Sequence, residues 1–388
     1  MNKKALGILF AVMFLVMLGF GIIIPVMPFF AEQLGATPFQ LGLLMASYSV
    51  MQFLFAPFWG GISDRIGRKP VIMIGISGLS LSFFLFAFSD QLWMLFASRI
   101  LAGFLSSANM PTVMAYVADI TSPENRGKGM GMIGAAVGLG FIFGPAIGGV
   151  FSAESYSTPF LIAGIVSAIT FLFVAFVLKE SLPPERRLKK GGAQESRWSA
   201  FSGSLSILYV LMFFVSFSLA ALEGTFAYYA AEKAGLDTVH LGYIFMIMGL
   251  AGAFVQGGLV GRLIKKRGES LVIQLGLVVS AVGFGLILLT DSFWTAALFL
   301  SVFGIGNGLI RPAVSALISK RTKVGQGAAT GLLSSFESLG RIVGPPLGGA
   351  VFALSINFPY LGGILLTIIA FVLYRIYVGR AGDAKPAA

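Results

Sequence analysis

Long apolar blocks separated by short polar breaks run through almost the whole chain. Each block is about as long as the ~20 residues that a helix needs to cross ~30 Å of hydrocarbon. The blocks therefore predict an all-α membrane protein with twelve transmembrane helices. The predicted spans lie near residues 5–30, 39–62, 70–88, 92–118, 128–152, 158–178, 203–230, 240–264, 270–290, 293–318, 327–353 and 358–378.

The first block follows Asn2-Lys3-Lys4, an arrangement that also begins a secretory signal peptide. The block continues to Phe30, well beyond the apolar core of about 7–15 residues in such a peptide, and it shows no small-residue cleavage pattern. We therefore expect it to be the first span.

The composition agrees with a membrane protein. Hydrophobic residues make up 57% of the chain and charged residues 11%, against roughly 25% charged residues in an ordinary soluble domain. So low a charge content does not keep a water-soluble surface dispersed. The 50 glycines suit membrane helices that pack closely against one another.

The basic residues, which give the chain a net charge of +11, are concentrated in alternate loops. This distribution argues against nucleic-acid binding, which needs the basic residues on one soluble face. Basic residues accumulate in cytoplasmic loops, so both termini are expected on the cytoplasmic side. The opposite loops contain Lys233 and no other Lys or Arg. The basic loops contain Arg65, Arg68, Lys69, Arg126, Lys128, the segment 179–200, Arg262, Lys265, Lys266, Arg267, Lys320, Arg321 and Lys323.

The segment 179–200 is the one long polar stretch, and it lies in the middle of the chain. Its Pro183-Pro184 and Gly191-Gly192 pairs and its mixed charges are typical of a linker, whose basic residues could also touch anionic lipid. We therefore predict an N-terminal six-helix half (1–178), a cytoplasmic linker (179–200) and a C-terminal six-helix half (201–388).

The two halves repeat each other. The sequence GPAIGG at 144–149 recurs as GPPLGG at 344–349, and Pro111 has a counterpart in Pro312. Two similar halves joined by a linker are a common transporter design, in which the substrate site lies near the bilayer midplane and access to it alternates.

Glycines recur every four residues within these repeats, which places them on one helix face where another backbone can approach. Either close packing alone or a sliding contact used in transport explains this spacing. The glycines are Gly140, Gly144 and Gly148, and Gly340, Gly344 and Gly348.

Five ionisable residues are predicted at bilayer depth, where a charge costs at least ~2.5–3.5 kcal/mol. Burial favours the neutral form of Glu223 and a nearby arginine favours its charged form, so it could be a proton carrier, a cation site or the fixed partner of an arginine. Glu337 and Arg341 are four residues apart and are expected to pair, either as a mutual salt bridge or as a site for substrate or protons. The five are Arg99, Glu223, Arg311, Glu337 and Arg341.

The residues or motifs that several classes of protein require are absent from this sequence. The absence of cysteine excludes disulfides and thiol chemistry. The single histidine, His240, lies in a predicted loop and cannot form a metal site alone. No phosphate-binding G-x-x-x-x-G-K-[S/T] loop is present, which argues against an ATP-driven pump. A membrane enzyme would also need a nucleophile or a metal cluster.

Four motifs are similar to those of a known family. The loop 60–70, GGISDRIGRKP, resembles the signature loop of the major facilitator superfamily, and Arg99 with Gly103 resembles its membrane-arginine motif. The segment 140–149 resembles a motif of exporters, and 21–28 resembles a further motif of the same branch. Over essentially its whole length the chain therefore resembles the twelve-helix drug/proton antiporter branch of this superfamily.

Within that branch, the phrases at 220–223 and 307–313 resemble multidrug exporters of the NorA and Bmr type. The chain departs from them in three places. Asn307 stands where those exporters have aspartate, and they lack the acid and the base that Glu337 and Arg341 supply here.

The resemblance implies a role for specific residues. Asp64, Arg68 and Asp119 are expected to form a cytoplasmic gate in which Arg68 meets Asp119, although a purely topological role of the basic loop is the alternative. Arg311 fits equally a gate or a side chain that reaches the membrane surface. The expected proton-coupling residues are Glu223, Glu337, Arg99 and Arg311. The expected substrate-binding residues are Gln52, Asn109, Phe141, Phe226, Tyr229, Asn307, Ser334 and Arg341.

Together these observations predict a proton-coupled antiporter of a bacterial inner membrane that exports lipophilic or cationic drugs by alternating access. The 37 phenylalanines and 15 methionines suit a pliable apolar pocket. An exporter of a metabolite or lipid-linked solute, such as a sugar or amino acid, is the alternative. A sensor that signals without transport would usually need an added soluble domain. The expected partners are small amphipathic substrates, protons and membrane lipid, for a monomer that needs no cofactor and binds no nucleic acid.

Overall fold

The computed structural model describes residues 3–187, 201, 205–322 and 325–383. Within these ranges the chain is almost entirely α-helical, as the apolar blocks predict. The α-helices are α1 (Lys3–Gln33), α2 (Pro38–Ile66), α3 (Arg68–Ala87), α4 (Leu92–Ser106), α5 (Asn109–Ile120), α6 (Pro123–Phe151), α7 (Thr158–Val177), α8 (Leu205–Ala234), α9 (Thr238–Phe254), α10 (Val260–Ile287), α11 (Phe293–Arg321), α12 (Gln326–Leu354) and α13 (Phe358–Asp383).

Ten segments of the described chain are long and apolar enough to cross a membrane. One of them, Thr238–Ile287, is 50 residues long and contains α9 and α10. It turns at Gly268, whose φ of 79° and ψ of 163° are not helical. Helix α12 has 29 residues but is not among the ten. Length and composition alone therefore give ten spans, and dividing the chain at Gly268 gives eleven. The twelfth predicted span, 327–353, coincides with α12 and stays a prediction.

The predicted span 92–118 consists of two helices, since α4 ends at Ser106 and α5 begins at Asn109. The break lies just before Pro111, which has no backbone N–H to continue the helical hydrogen bonds. The two helices together still form one membrane-crossing segment of 29 residues. Pro312, the counterpart of Pro111 in the repeat, lies inside the uninterrupted helix α11.

The chain forms two compact units. The first comprises residues 1–37, 44–192 and 237–246, and the second comprises the remaining residues, 38–43, 193–236 and 247–388. The main boundary between them thus falls within the predicted linker, of which residues 188–200 lie outside the described ranges.

In the first unit, the glycine-bearing face of α6 packs directly on α1. A Cβ atom added at Gly144 would lie 2.5 Å from the carbonyl oxygen of Leu18, and one added at Gly148 would lie 2.9 Å from Cα of Ile22. A hydrogen atom is all that fits at these positions, so the two backbones approach closely. The glycine spacing in the sequence correctly indicates this contact.

The second unit repeats this arrangement with α12 on α8. A Cβ atom added at Gly340 would lie 2.7 Å from the carbonyl oxygen of Phe213, and one added at Gly344 would lie 2.5 Å from that of Phe217. Glu223 is on α8, whereas Glu337 and Arg341 are on α12. The glycine contact therefore fixes the helices that hold these charged side chains.

Candidate functional site

Arg68 is the centre of a charged cluster in the first unit. Its Nη1 lies 2.6 Å from Oδ1 of Asp64, and its Nε donates to Oδ2 of Asp119 over 3.1 Å. Nη1 also donates to the hydroxyl of Ser63 over 2.7 Å, and the residue is buried. The predicted contact between Arg68 and Asp119 is therefore confirmed. Asp64, near the end of α2, is held in the same cluster because the turn at Gly67 brings the start of α3 back towards it.

The first residues of the predicted linker bind to this cluster, which the sequence did not lead us to expect. The Glu180 carboxylate accepts the backbone N–H of Arg68 over 2.8 Å and that of Lys69 over 3.1 Å. The Ser181 hydroxyl donates to Oδ2 of Asp119 over 3.0 Å. The linker is thus solvated only in part, since its first residues are fixed to the start of α3.

The start of α3 explains why an acidic residue, Glu180, binds to the backbone of Arg68 and Lys69. The helix starts at Arg68, directly after Gly67, whose φ of 110° is in the region that glycine adopts most readily. No side chain next to the start of α3 caps it, and its first turn contains no acidic residue. The free N–H groups of a helix start favour an anion. In the sequence, a helix start without a capping or acidic residue could have predicted that an acid binds to α3, but it does not identify that acid as Glu180.

The four charged residues of the second unit that are predicted at bilayer depth form two ion pairs between helices. Glu337 accepts two hydrogen bonds from Arg311, at 2.7 Å from Nε and 3.0 Å from Nη2. Arg341 Nη1 lies 3.7 Å from Oε2 of Glu223. The predicted pair between Glu337 and Arg341 is therefore wrong. Two parallel hydrogen bonds from the planar guanidinium of Arg311 are a stronger interaction than a contact along one helix.

The two carboxylates are held very differently. The Glu337 side chain is 12% exposed and makes two hydrogen bonds to Arg311, which is itself 64% exposed. Glu223 is 4% exposed, and its ion pair with Arg341 is too long to be a hydrogen bond. Glu223 is thus the deeper and more loosely held acid.

Arg99 has no acidic partner in the part of the chain that the structure describes. It is 3% exposed, and its Nε has no hydrogen-bond acceptor. Its guanidinium lies over the ring of Tyr48, 4.5 Å from the ring centroid. Both residues line a small cavity of about 10 Å³ within the first unit.

The predicted substrate-binding residues fall into different environments. Asn109 is fully buried beside Gly75, and its amide atoms find no hydrogen-bond partner among the described residues. Phe226 and Tyr229 are fully buried, and the ring of Tyr229 packs on Tyr360 with centroids 4.4 Å apart. These side chains belong to the interior of their units.

The other predicted substrate-binding residues are more accessible. Gln52 is half-buried, and Ser334 is exposed. Phe141 is half-buried and stacks on Phe20, with ring centroids 6.0 Å apart. Asn307 lines a small cavity of about 10 Å³ within the second unit. The structure does not bring all these residues together, and their role in binding stays a prediction.

Among the described residues, no group of three or more His, Cys, Asp or Glu side chains is placed to hold a metal ion. His240 instead contacts Asp237, with Nδ1 at 2.7 Å from Oδ1.

Comparisons with known proteins agree with this architecture. The family model described as "Major Facilitator Superfamily" matches residues 9–321 and 257–387. The chain is 33% identical to "Multidrug resistance protein 2" of Bacillus subtilis (strain 168), over 99% of this chain and 97% of that protein. It is 31% identical to "Quinolone resistance protein NorA" of Staphylococcus aureus (strain Mu50 / ATCC 700699), over 97% of each.

Two solved structures show the same fold. The human organic anion transporter MFSD10 (TETRAN) is 26% identical, with a TM-score of 0.72 over 96% of this chain and 99% of that one. A bacterial homologue of the human lysosomal transporter Spinster, in an inward-facing and occupied conformation, has a TM-score of 0.81 at 14% identity, over 100% of this chain and 99% of that one. The helix pattern, the charged cluster around Arg68 and these matches together show that the chain belongs to the Major Facilitator Superfamily, whose members are membrane transporters.

Proposed function

We propose that this chain is a proton-coupled antiporter that exports lipophilic or cationic drugs from the cytoplasm by alternating access. The curated relatives support the drug-export part, since their names describe multidrug and quinolone resistance proteins. The observation that supports proton coupling is the Glu223 carboxylate, which is buried and only loosely paired with Arg341.

Glu223 has the properties of a site where a proton and a cation compete. As a carboxylate it attracts Arg341, but at 3.7 Å no hydrogen bond is lost when the acid takes up a proton. Burial favours the neutral acid, whereas a cation beside it favours the carboxylate. A cationic drug that binds here would therefore displace the proton, and the proton would displace the drug. Antiport requires this competition.

Glu337 is suited to a different role. Both of its carboxylate oxygens accept hydrogen bonds from Arg311. Uptake of a proton would break one of these bonds, so Glu337 is a poor proton carrier, and the bonded pair can instead contribute to selection among substrates. We therefore assign proton transfer to Glu223 and a contribution to substrate selection to Glu337.

The cluster of Asp64, Arg68 and Asp119 serves as a gate element rather than as part of the binding pocket. Its charged groups are engaged with one another at the start of α3. The distribution of basic residues among the loops supports a topology in which this cluster and both termini face the cytoplasm of a bacterial cell. We further propose that the chain acts as a monomer.

Ethidium efflux from energised cells tests the proposal. Cells that express the chain should lose ethidium rapidly, and a protonophore should stop that loss. Glu223→Gln should abolish the efflux, whereas Glu185→Gln, a change of an exposed acid in the linker, should leave it intact. Efflux that continues after the proton gradient has collapsed contradicts proton coupling. No efflux of ethidium or of norfloxacin by the unaltered chain would favour the metabolite exporter instead.

A further inference from the structure

The connection between α9 and α10 exposes a dense group of positive charges. Arg262, Lys265, Lys266 and Arg267 lie close together in the sequence, and all four side chains are exposed. None of them forms an ion pair with a carboxylate of the residues that the structure describes. The preference of basic loops for the cytoplasm accounts for the side on which these charges lie, but not for their being gathered unpaired on one surface.

The next acid along the chain, Glu269, does not neutralise this group. Its carboxylate is bound to the ammonium group of Lys320, which reaches it from α11. Lys320 is followed by a further cation, Arg321, whose guanidinium lies over the ring of Tyr377 with 5.6 Å to the ring centroid. This end of the second unit therefore carries a local excess of positive charge.

The loop that connects α2 and α3 in the first unit uses its cations differently. Arg68 is buried and pairs with Asp64 and Asp119. Lys69 donates from its ammonium group to the carbonyl oxygen of Ala175 over 2.6 Å. These two cations are engaged within the first unit, whereas the four cations between α9 and α10 are directed at the surroundings of the protein.

Packing fixes the direction in which those four cations face. The segment 260–268 is helical, and its Val260 is buried in the core of the second unit, with Leu263 and Ile264 packed against that core. Apolar residues at this spacing share one face of a helix. The helix ends at Gly268, whose φ of 79° turns the chain into the rest of α10. The segment is thus held by its apolar face, and the cations lie outside that face.

Exposed apolar side chains border the cations on both sides along the chain. Phe254 is 77% exposed at the end of α9, and Leu259 and Leu271 are exposed before and after the basic residues. In a chain that crosses the membrane, side chains of this kind suit contact with acyl chains. Clusters of four or more Lys and Arg beside a membrane-crossing helix suit the phosphates of anionic lipids. A soluble phosphate would use only the cations.

We infer that the segment 260–268 is a binding surface for anionic phospholipids. Arg262, Lys265, Lys266 and Arg267 contact the headgroup phosphates, and the exposed apolar side chains beside them contact the acyl chains. This inference does not depend on which substrate the chain exports. It assigns anionic lipid to one end of the second unit instead of to the whole circumference of the protein.

A photoactivatable phosphatidylglycerol in bilayers of phosphatidylcholine tests the site on the unaltered full-length chain. With the reactive group on the headgroup, crosslinks to peptides that contain residues 260–271 should exceed those to residues 120–130 by about tenfold or more. The segment 120–130 is the comparison because Arg126 and Lys128 are exposed there beside an exposed acid, Glu124. Equal labelling of the two segments would overturn the inference.

Two double variants remove the same charge from these two places. Lys265→Gln/Lys266→Gln should bind phosphatidylglycerol about 10- to 30-fold more weakly than the unaltered chain, when the lipid is titrated into the purified chain in a neutral detergent. Arg126→Gln/Lys128→Gln should change this affinity by less than about threefold. Equal losses in both variants would mean that only net charge matters, and that result, like an unchanged affinity in the first variant, would overturn the inference.

Displacement from the unaltered chain distinguishes a lipid from a soluble anion. Glycerophosphoglycerol, which is the headgroup without acyl chains, should displace little phosphatidylglycerol, because it gains nothing from the exposed apolar side chains. Displacement by this headgroup or by polyglutamate at concentrations comparable to that of the lipid would assign the surface to a soluble anion and overturn the inference. None of these measurements involves transport, so their outcome is independent of the proposed export function.

Discussion

Glu223 and Glu337 are both paired with arginines, but only Glu337 accepts hydrogen bonds from its partner. This difference comes from geometry, since Arg311 presents two N–H groups side by side whereas Arg341 approaches Glu223 with one nitrogen at 3.7 Å. Uptake of a proton by Glu337 would break a hydrogen bond to Arg311, whereas uptake by Glu223 would break none. The roles that we propose for the two acids rest on this difference between their contacts.

Asp64 offers a first prediction at this level. Asp64→Asn removes the charge that lies 2.6 Å from Arg68 but leaves Arg68 its contacts with Asp119 and Ser63. We expect the gate equilibrium to shift by about 5- to 30-fold, the change that 1–2 kcal/mol produces, with a matching loss of transport rate. Substrate affinity should stay close to that of the unaltered chain. Binding and efflux measured on the same purified variant check this, and a loss of affinity with a normal transport rate contradicts it.

The segment 179–187 is bound to the start of α3, a contact that the local sequence does not reveal. Glu180 lies 112 positions after Arg68 in the chain, yet its carboxylate takes the place of the missing acidic residue in the first turn of α3. The linker is therefore tied to the helix that begins in the signature loop. Direct hydrogen bonds of Glu180 and Ser181 thus join the first residues of the linker to the cluster around Arg68.

Glu180→Ala should release this connection. The helix start loses an anion, an interaction of about 0.3–1 kcal/mol at a partly exposed site. We expect faster proteolysis after residue 179 and slower transport, with unchanged substrate affinity. Glu185→Ala is the matched control, because Glu185 is an exposed acid in the same segment. Identical proteolysis rates for the two variants contradict a fixed linker.

The glycine contact between α6 and α1 gives a second prediction at the level of elements. Gly144→Ala places a methyl group 2.5 Å from the carbonyl oxygen of Leu18, and overpacking of this kind costs about 1–3 kcal/mol. Gly138→Ala, on the same helix, meets no heavy atom within 4 Å and should gain the helix preference of alanine. Thermal unfolding in detergent should therefore show a lower Tm for Gly144→Ala than for Gly138→Ala. Equal values would mean that the backbones do not depend on this contact.

At the scale of the whole molecule, the sequence predicts those features that repeat along the chain. Block length indicates the spans, and the spacing of Gly140, Gly144 and Gly148 indicates the contact with α1 because a helix repeats its faces every few residues. The partner of Glu337 could not be predicted in this way. It depends on where α11 meets α12, and Arg341, one turn away on the same helix, was the nearer choice in sequence. Glu180 was missed for the same reason, since its partner is distant in the chain.

The orientation of the whole molecule in the membrane can be measured directly, because the chain has no cysteine of its own. Ser155 lies in a loop without basic residues, whereas Lys128 belongs to one of the basic loops predicted from the sequence. Each is replaced by cysteine in a separate variant. A membrane-impermeant thiol reagent applied to intact cells should label the first and not the second. Labelling of Lys128→Cys from outside would reverse the proposed topology.

Substrate-induced proton release in proteoliposomes tests the central claim, that Glu223 carries the coupling proton, most directly. The unaltered chain, Glu223→Gln and Glu337→Gln are reconstituted at equal density, and protons are counted after ethidium is added. We predict that Glu223→Gln releases no protons, because an amide neither takes up nor releases a proton over the pH range in which the transporter works. Glu337→Gln should still release protons, although its order of preference among substrates changes. Full release by Glu223→Gln together with loss of release by Glu337→Gln would contradict the account and exchange the roles of the two acids.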